Sequence, residues 1–397
     1  MNKYIKQVII LLIFCTSVFP CKAQSINYKR IIKHAENQTD LMIKEISEIR
    51  KSGKPNLVSP RTLQKNELKL VSSEDWTSGF FPGSLWYLYS LTGEDKWKTQ
   101  AERFTNFIEK EKLNRSNHDI GFKIYCSFGN GYRITQNEAY KNVIIQAAKT
   151  LLTRFNPKTG VIRSWDHHQD KWKNPVIIDN MINLELLFEA TKITGDSSFY
   201  RAAVSHANNT MKNHFRPDYS SYHVVDYDPE TGAVLKKNTH QGYSDESAWA
   251  RGQAWALYGF TMCYRFTKNP LYLKQAENVA KFILTHPNMP KDLIPFWDFN
   301  APNIPNEPRD ASAAAVIASG LLELSQYSYN KQNYVSKAKQ ILYNLSEKYT
   351  AKKGEAKGFI LLHSTGSKPS NSEVDVPLSY ADYYYLEALF RLKSFNF

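Results

Sequence analysis

Cysteine is scarce in this sequence, which has four among its 397 residues. Cys15 and Cys21 lie close to the N-terminus, so Cys126 and Cys263 are the two that remain for the body of the chain. Two cysteines cannot provide the disulfide framework of a domain this large, and we expect both to be small buried hydrophobic residues. A single bridge between them is the alternative in an oxidising compartment.

Long hydrophobic runs are also absent, except near the N-terminus. There, the mostly apolar segment 8–19 follows Lys3 and Lys6. This pattern is typical of a secretory signal peptide, here residues 1–23, and the apolar run is too short to span a bilayer. We therefore expect an exported, periplasmic protein without a membrane span. Lipidation at Cys21 is the alternative, although the residues before it fit a lipobox poorly.

Acidic residues are fewer than basic ones, 38 against 51, which gives a formal net charge of +13. Loss of the signal peptide would remove three lysines and no acid, and would leave +10. No basic run exceeds a few residues and no nucleic-acid-binding motif occurs, so we expect no nucleic acid partner. An acidic glycan is the more economical partner for a basic exported chain. A hydrophobic fraction of 42% and a charged fraction of 22% exclude a disordered protein.

A weak internal repeat runs through the chain. In each copy a turn precedes an aromatic residue, and a small or aliphatic residue follows four positions later on the same helix face. The aromatic positions are Trp97, Tyr140, Phe199, Tyr272 and Tyr334. A more apolar helix precedes each copy. These helices, with one more near the C-terminus, are predicted over 80–91, 120–132, 180–193, 246–266, 310–326 and 379–393.

An amphipathic helix over 25–50 completes about twelve helices in six pairs, each with one partly exposed and one mostly buried member. Strand patterns are confined to short connections such as 221–225 and 232–235. Six helical hairpins that close on themselves form an (α/α)6 barrel, so we predict an all-α fold with residues 24–397 as one catalytic domain. An open helical solenoid is the alternative. The unequal repeat intervals predict long functional loops on one face.

The residues that carry chemistry fall where these loops enter the buried helices. Consecutive inner helices of such a barrel run parallel, so their N-termini share one end and form a donor-rich mouth suited to a carboxylate. Asp, Ser and Asn at a helix start are also ordinary N-caps, which is the alternative explanation for any single position. The residues predicted at the mouth are Trp76, His118, Asp119, Asp179, Gln241, Arg251, Trp255, Arg309, Asp310 and the segment 379–382.

Asp119 and Asp179 suggest general acid/base chemistry. Two carboxylates held close together and shielded from water raise the pKa of one of them, which keeps that acid protonated near neutral pH. His167 and His168 resemble a metal-binding pair, but adjacent side chains should diverge and no third ligand follows at a useful spacing. We therefore expect no metal and no other cofactor. A Ser-His-Asp triad lacks the nucleophile-elbow motif that would support it.

Several stretches of the sequence together resemble glycoside hydrolase family 88, the unsaturated glucuronyl hydrolases. The resemblance extends from about residue 70 to the C-terminus and implies an (α/α)6 barrel, which the helix count also predicts. The matching stretches are Trp76-Thr-Ser-Gly-Phe-Phe-Pro-Gly, His118-Asp-Ile-Gly-Phe, Ser127-Phe-Gly-Asn-Gly-Tyr, Ile178-Asp-Asn-Met, Tyr222-His-Val-Val-Asp-Tyr-Asp-Pro, Thr239-His-Gln-Gly-Tyr-Ser-Asp, Trp249-Ala-Arg-Gly-Gln-Ala-Trp and Ser379-Tyr-Ala-Asp-Tyr-Tyr.

The resemblance implies a particular reaction. Polysaccharide lyases leave a 4,5-unsaturated uronic acid at the non-reducing end of their products. The family removes this sugar by hydrating its C4=C5 vinyl ether rather than by attacking the anomeric carbon. An acid protonates C4, water adds at C5, and the resulting hemiketal opens and expels the remaining sugar. By similarity, Asp179 is the general acid/base and Asp119 is the second carboxylate that supports it.

The resemblance also implies substrate contacts. His223 matches a family histidine near the catalytic centre, where it would orient the water or Asp179. A guanidinium such as that of Arg251 suits a uronate carboxylate. Two Trp rings would flank the sugar, although core packing explains either ring equally well on sequence alone. The implied substrate-binding residues are Trp76, His118, His223, Thr239, Gln241, Arg251 and Trp255.

The second sugar of the substrate would meet the last long loop. Ser364, Ser367 and Lys368 are placed to hydrogen-bond a sulfate group on a glycosaminoglycan disaccharide, and an ordinary polar turn is the alternative. The expected partners are unsaturated uronyl oligosaccharides from chondroitin, hyaluronan or heparan. The protein itself is expected to be a monomer or a homodimer.

Three other functions compete. An unsaturated rhamnogalacturonyl hydrolase would share the fold and the chemistry but act on pectin fragments, and the sequence around Asp179 is more similar to the glucuronyl family. A polysaccharide lyase would generate this substrate, and it would need a Tyr/His pair beside a neutralising Arg or Asn. A non-catalytic glycan-binding lipoprotein would be lipidated at Cys21, but gives no reason for the two carboxylates in these motifs.

Overall fold

The computed structural model describes residues 26–395, and the predicted signal peptide with Cys21 lies outside this range. The described chain is mainly helical. A π-helical segment, Tyr125–Gly129, joins α4 to α5 without a break, so the helices form twelve units. The helices are α1 (Tyr28–Lys51), α2 (Phe80–Thr92), α3 (Asp95–Asn106), α4 (Ile120–Ile124), α5 (Asn130–Thr135), α6 (Glu138–Leu152), α7 (Asn180–Thr194), α8 (Ser197–Asn213), α9 (Ala250–Thr267), α10 (Pro270–Thr285), α11 (Ala311–Leu324), α12 (Lys331–Lys348) and α13 (Ser379–Ser394).

Six of these units form a closed inner ring. In ring order they are α2, α4–α5, α7, α9, α11 and α13; each contacts the next, and α13 contacts α2. The helices α3, α6, α8, α10 and α12 pack outside the ring, each against the inner helix that precedes it. The predicted (α/α)6 barrel is therefore confirmed, and an open solenoid is ruled out because the last inner helix meets the first.

The outer helices bury one face through the aromatic residues of the repeat. All five of these side chains lie in the core, from fully buried to 6% exposed. This agrees with the spacing of four residues, which places the aromatic ring and the following small side chain on the same face. The five buried rings are those of Trp97, Tyr140, Phe199, Tyr272 and Tyr334.

Connections differ sharply between the two ends of the ring. At the end where inner helices stop, tight turns lead into the outer helices; Gly93 and Gly195 take left-handed conformations there, at φ 76°. The side chains of Asn137, Asp196 and Asn269 cap the helices that follow. At the opposite end, the chain returns to the ring through the long segments 107–119, 153–179, 214–249, 286–310 and 349–378.

Short antiparallel sheets stiffen these long segments. Two strands predicted from sequence are present but shifted along the chain: β6 covers Val224–Tyr227 and β7 covers Val234–Asn238. They pair with β5 (Pro175–Ile177) in the order β5-β6-β7. The remaining strands form three two-stranded sheets: β1 (Ser59–Gln64) with β2 (Glu67–Val71), β3 (Phe155–Asn156) with β4 (Val161–Ile162), and β8 (Ser364–Ser367) with β9 (Ser372–Val376).

The inner helices follow the predicted bounds closely, with one difference at the start of α9. This helix begins at Ala250 rather than at 246, because Trp249 forms a bridge with Asp298 and the side chain of Asp298 binds Ser247. Packing within the ring is tight: a Cβ added to Gly259 would lie 2.4 Å from the Cβ of Met181. Such contacts fix how closely α9 approaches α7.

Both cysteines of the described chain are buried and unpaired, as expected for small hydrophobic residues, and no bridge joins Cys126 to Cys263. Burial raises the pKa of each thiol. None of the helices between residues 26 and 395 combines the length and apolar character needed to cross a bilayer.

Candidate active site

The first turns of the inner helices meet at the end of the barrel that carries the long segments. The ring of Trp76, just before α2, lies 5.0 Å from the ring of Tyr380 in α13 and 5.7 Å from that of Phe122 in α4. Arg251 in α9 binds Asp310, the residue before α11, at 2.6 Å. The predicted mouth therefore exists, and it brings residues distant in sequence into contact.

Asp119 and Asp179 occupy N-cap positions without acting as caps. Neither side chain accepts a hydrogen bond from the first turn of the helix that follows it. Asp310 provides the contrast, because its carboxylate accepts from the backbone N–H groups of Ser312 and Ala313. Capping explains Asp310 but leaves the two other carboxylates without a structural role, which is the pattern expected of functional groups.

Asp179 is an acid with a strongly raised pKa. The residue is 8% exposed, and its Oδ2 has no hydrogen-bond partner. Burial raises its pKa from 3.8 to about 7, and the charge of Asp119 acts in the same direction, while His118 and Arg251 oppose it. Asp179 therefore holds its proton close to neutral pH, as a general acid must.

Asp119 lies more openly, with its side chain 18% exposed. The Nε2 of His118 is 3.2 Å from its Oδ1, and its own backbone N–H donates to the side chain of Asn117. His118 is 1% exposed and sits behind the carboxylate. The structure thus places His118, a predicted substrate contact, against Asp119, where its ring can orient that carboxylate.

His223 is a buried neutral donor directed at Asp179. Its Nδ1 accepts the backbone N–H groups of His240 and Gln241, so the ring proton resides on Nε2. Burial and neighbouring positive groups lower its pKa well below 6.5. The Nε2 has no hydrogen-bond partner and lies 3.7 Å from Oδ2 of Asp179. This gap suits a role in orienting a water molecule or the carboxyl group itself.

Arg251 and Trp255, two of the predicted substrate contacts, are both buried at the mouth. Arg251 is 1% exposed, and its guanidinium binds Asp310 and the carbonyls of Thr365 and Gly366. Trp255 is fully buried, with its ring 5.4 Å from that of Phe122. Both side chains are buried against residues distant in sequence, Asp310 for Arg251 and Phe122 for Trp255, which no local sequence pattern indicates. Arg251 still contributes positive charge beside Asp179.

Trp76 and Gln241 remain within reach of a ligand. Trp76 is partly exposed and offers a ring at the mouth. Gln241 is also partly exposed, and its amide donates to the carbonyl of Gly366 at 3.1 Å. Thr239 is partly exposed, and its hydroxyl oxygen accepts the N–H of Gly242, which leaves the hydroxyl proton available.

The β8–β9 hairpin carries the three residues predicted to meet the second sugar. Ser364 is fully buried, and its hydroxyl has no partner. Ser367 is partly exposed and donates to the hydroxyl of Ser370 at 3.1 Å. Lys368 is partly exposed. The hairpin is tied to the mouth through Arg251, so these residues lie at the rim, with Ser364 the least accessible.

Two tryptophans that the sequence motifs do not mark, Trp165 and Trp172, form an aromatic cluster with His167 and His168 beside Asp119. Trp165 pairs with Asn117 in a β-bridge and stacks on His167 at 5.1 Å. The rings of His167 and His168 lie 4.6 Å apart, so the expectation that they diverge is wrong; His168 has φ 56°, which turns it back over its neighbour. Between residues 26 and 395, no three His, Cys, Asp or Glu side chains are placed to hold a metal ion.

A helical barrel with an acid of raised pKa, a second carboxylate and aromatic rings at one end has the arrangement of an acid/base enzyme that processes sugars. The comparison with known families gives the particular class. The model of Glycosyl Hydrolase Family 88 matches residues 48–395, and the chain belongs to this family. The predicted resemblance is confirmed.

Individual relatives agree. The chain is 53% identical to an unsaturated glucuronyl hydrolase of Formosa agariphila, and the match covers 85% of this chain and 85% of that enzyme. It matches the crystal structure of an unsaturated glucuronyl hydrolase specific for heparin with a TM-score of 0.87 and 47% identity, covering 93% of this chain and 98% of that one. The structure of a variant of the unsaturated glucuronyl hydrolase from Streptococcus agalactiae, in complex with dGlcA-GalNAc6S, matches with a TM-score of 0.73 and 31% identity. This match covers 94% of this chain and 97% of that one. These names favour the glucuronyl over the rhamnogalacturonyl alternative.

Proposed function

We propose that this protein is an unsaturated glucuronyl hydrolase that removes the 4,5-unsaturated uronic acid from the non-reducing end of lyase-generated glycosaminoglycan oligosaccharides. The observation that carries the proposal is the carboxyl group of Asp179, which is buried, does not cap its helix and has a pKa of about 7. Membership of the family and the names of the relatives support the same reaction.

The first step is proton transfer to carbon. The carboxyl group of Asp179 gives its proton to C4 of the unsaturated sugar, and positive charge develops at C5, where the ring oxygen stabilises it. Water then adds to C5 and returns a proton to the Asp179 carboxylate, so the double bond gains one water molecule and the acid is restored. The hemiketal opens and expels the second sugar.

The neighbouring groups support both halves of this cycle. The Nε2–H of His223 faces Oδ2 of Asp179, where it orients the attacking water or the carboxyl group. The carboxylate of Asp119 raises the pKa of Asp179 and stabilises the positive charge that forms during protonation. The charge of Arg251 and the partly exposed ring of Trp76 favour an anionic sugar at the mouth.

The second sugar would lie toward the β8–β9 hairpin. Ser367 and Lys368 are partly exposed polar groups of that loop and would bind a hexosamine or its sulfate. Relatives that are named for heparin, or that bind dGlcA-GalNAc6S, support a glycosaminoglycan origin for the substrate.

The test is the ultraviolet absorbance of the conjugated unsaturated uronate, followed with purified protein. The substrates are lyase-generated disaccharides from chondroitin, hyaluronan, heparan and pectin. Loss of absorbance on the glycosaminoglycan fragments, faster than on the pectin fragment, is the expected result. A faster reaction on the pectin fragment would instead favour the rhamnogalacturonyl alternative.

We also propose that the protein is exported to the periplasm, with residues 1–23 removed and residues 24–397 forming one domain, and that it is a monomer or homodimer. The basic start and apolar run of the N-terminus support export. Intact-mass analysis of the secreted protein tests this. A mass beginning at Gln24 is expected, whereas a diacylglycerol adduct on Cys21 would show lipidation. Light scattering gives the number of subunits.

A further inference from the structure

A pocket of about 400 Å³ lies beside the candidate active site. Its walls come from three segments of the chain: 171–172, 236–240, and 369–370 at the turn of the β8–β9 hairpin. The lining includes two lysines, Lys171 and Lys236, and no carboxylate from the described residues. A concave site with cations and without acids is a receptor for anions.

Contacts with neighbouring groups hold the two lysines at the pocket. The ammonium of Lys236 donates to the backbone carbonyl of Lys171, which links β7 to the segment before β5. The ammonium of Lys171 lies 6.0 Å from the ring centroid of Trp172, and the indole N–H of Trp172 is 3.4 Å from the side-chain oxygen of Asn238. Neither lysine forms an ion pair within residues 26–395, so both charges remain available.

His240 lies between the pocket and the candidate active site, and it contacts residues of both. The backbone N–H of His240 donates to Nδ1 of His223, and the two imidazole rings lie 6.3 Å apart. On its other side, the ring of His240 is 5.8 Å from that of Trp172 in the pocket wall. A substrate seated against Asp179 would therefore extend past His240 into this pocket with its next sugar units.

Other donors complete the receptor. The hydroxyl proton of Thr239 is available, because its oxygen serves as the acceptor for Gly242. Burial, together with the neighbouring groups His168, His167 and Lys171, lowers the pKa of His240 from 6.5 to about 4. The histidine is therefore neutral, and the two ammonium groups supply the charge.

We propose that this pocket is an anion subsite for the sugars that follow the unsaturated uronate, and that Lys171 and Lys236 bind a sulfate or carboxylate group there. The inference rests on the proposed function and deepens it, because it assigns oligosaccharides with a further anionic group beyond the unsaturated uronate as the preferred substrates. A sulfate on the second sugar and the carboxylate of a third sugar offer the same anionic oxygens, and substrates of different length separate these two sources.

The experiment compares three unsaturated substrates: an unsulfated chondroitin disaccharide, its 6-sulfated form, and an unsulfated hyaluronan tetrasaccharide. The variant is the double substitution Lys171→Met and Lys236→Met. We expect its KM to rise about threefold to tenfold on the sulfated disaccharide, the tetrasaccharide or both, with kcat unchanged and less than a twofold effect on the unsulfated disaccharide. An effect on the sulfated disaccharide identifies sulfate, and one on the tetrasaccharide alone identifies the carboxylate.

Matched controls separate charge from structure. Lys173→Met removes one exposed lysine two residues from Lys171, at a side chain that pairs with Asp228 outside the pocket, and should leave all three KM values unchanged. Lys236→Arg keeps the positive charge, so this variant should retain the wild-type KM values on the sulfated disaccharide and the tetrasaccharide. Equal KM values for the double variant and the wild type on both the sulfated disaccharide and the tetrasaccharide would overturn the proposal, as would an equal loss on the unsulfated disaccharide. The proposal would also be overturned if Lys368→Met removed the preference for the sulfated disaccharide or the tetrasaccharide while the double variant kept it.

Failure of the proposed function is a separate result. If the wild-type protein consumes none of the three substrates, the proposed reaction is wrong, and calorimetric titration with the sulfated disaccharide then tests the pocket by itself. Weaker binding by the double variant supports the subsite. Equal binding, or no binding to the wild type, overturns it.

Discussion

Replacing Asp179 by Asn should abolish activity and at the same time stabilise the protein above neutral pH. The side chain is 8% exposed, and its pKa is raised from 3.8 to about 7, mainly because burial disfavours the charged form. Each pKa unit corresponds to about 1.4 kcal/mol, so the ionised Asp179 destabilises the folded state by about 4 kcal/mol. Asn has nearly the same shape and carries no charge, so it avoids this cost.

The pH dependence of this gain follows from the direction of the shift. The folded protein binds the Asp179 proton more tightly than the unfolded chain does, so the wild type loses stability as pH rises from about 4 to about 7. The advantage of Asp179→Asn should therefore be about 2 kcal/mol at pH 5 and about 4 kcal/mol at pH 8. Urea unfolding of both proteins at the two pH values measures it.

The same variant should lose at least about a hundredfold in kcat, because an amide cannot protonate C4. Asp310→Asn is the contrasting variant: it weakens the partner of a buried guanidinium and should destabilise the protein at both pH values. An Asp179→Asn protein whose stability difference from the wild type is the same at pH 5 and pH 8 would refute the assignment of a raised pKa. Retained turnover would refute its role as the acid.

Three further predictions concern the surroundings of this acid. Asp119→Asn should keep KM within about threefold and lower kcat at least about a hundredfold. The negative charge of Asp119 raises the pKa of Asp179, so its removal should move the alkaline limb of the kcat/KM profile to lower pH. His223→Ala should lower kcat by about tenfold to a hundredfold, because Asp179 loses the donor that faces it; a change in KM alone would assign this histidine to binding. Gly259→Ala should lower the free energy of unfolding by about 1–3 kcal/mol, because the added Cβ would lie 2.4 Å from the Cβ of Met181. An unchanged midpoint in chemical denaturation would contradict the tight packing of α7 on α9.

Periodicity in the sequence determines much of the architecture, because every hairpin of the barrel repeats the same constraint. An aromatic residue such as Tyr272 must face inward from its outer helix, and the apolar run after Asp310 can be buried only as an inner helix. The helix bounds, the closed ring and the long segments at one end all follow from such local patterns. The start of α9 does not, because it depends on Asp298, a partner distant in sequence.

Individual roles in the site are harder to predict than its location. Asp119, Asp179 and Asp310 look alike in sequence, and only the three-dimensional contacts separate the cap from the two free carboxylates. In sequence, Arg251 has the features of a substrate-binding residue. In the structure, its guanidinium donates to the backbone carbonyl of Thr365 in the β8–β9 hairpin. These distinctions arise from long-range contacts, which a linear motif does not encode.

The central claim is that the protein hydrates a vinyl ether instead of cleaving an ordinary glycosidic bond. The most direct measurement follows the release of the second sugar from an unsaturated chondroitin disaccharide and from its saturated counterpart under identical conditions. We expect rapid release from the unsaturated substrate and none from the saturated one, which has no C4=C5 double bond for Asp179 to protonate. Comparable release from both substrates would contradict it.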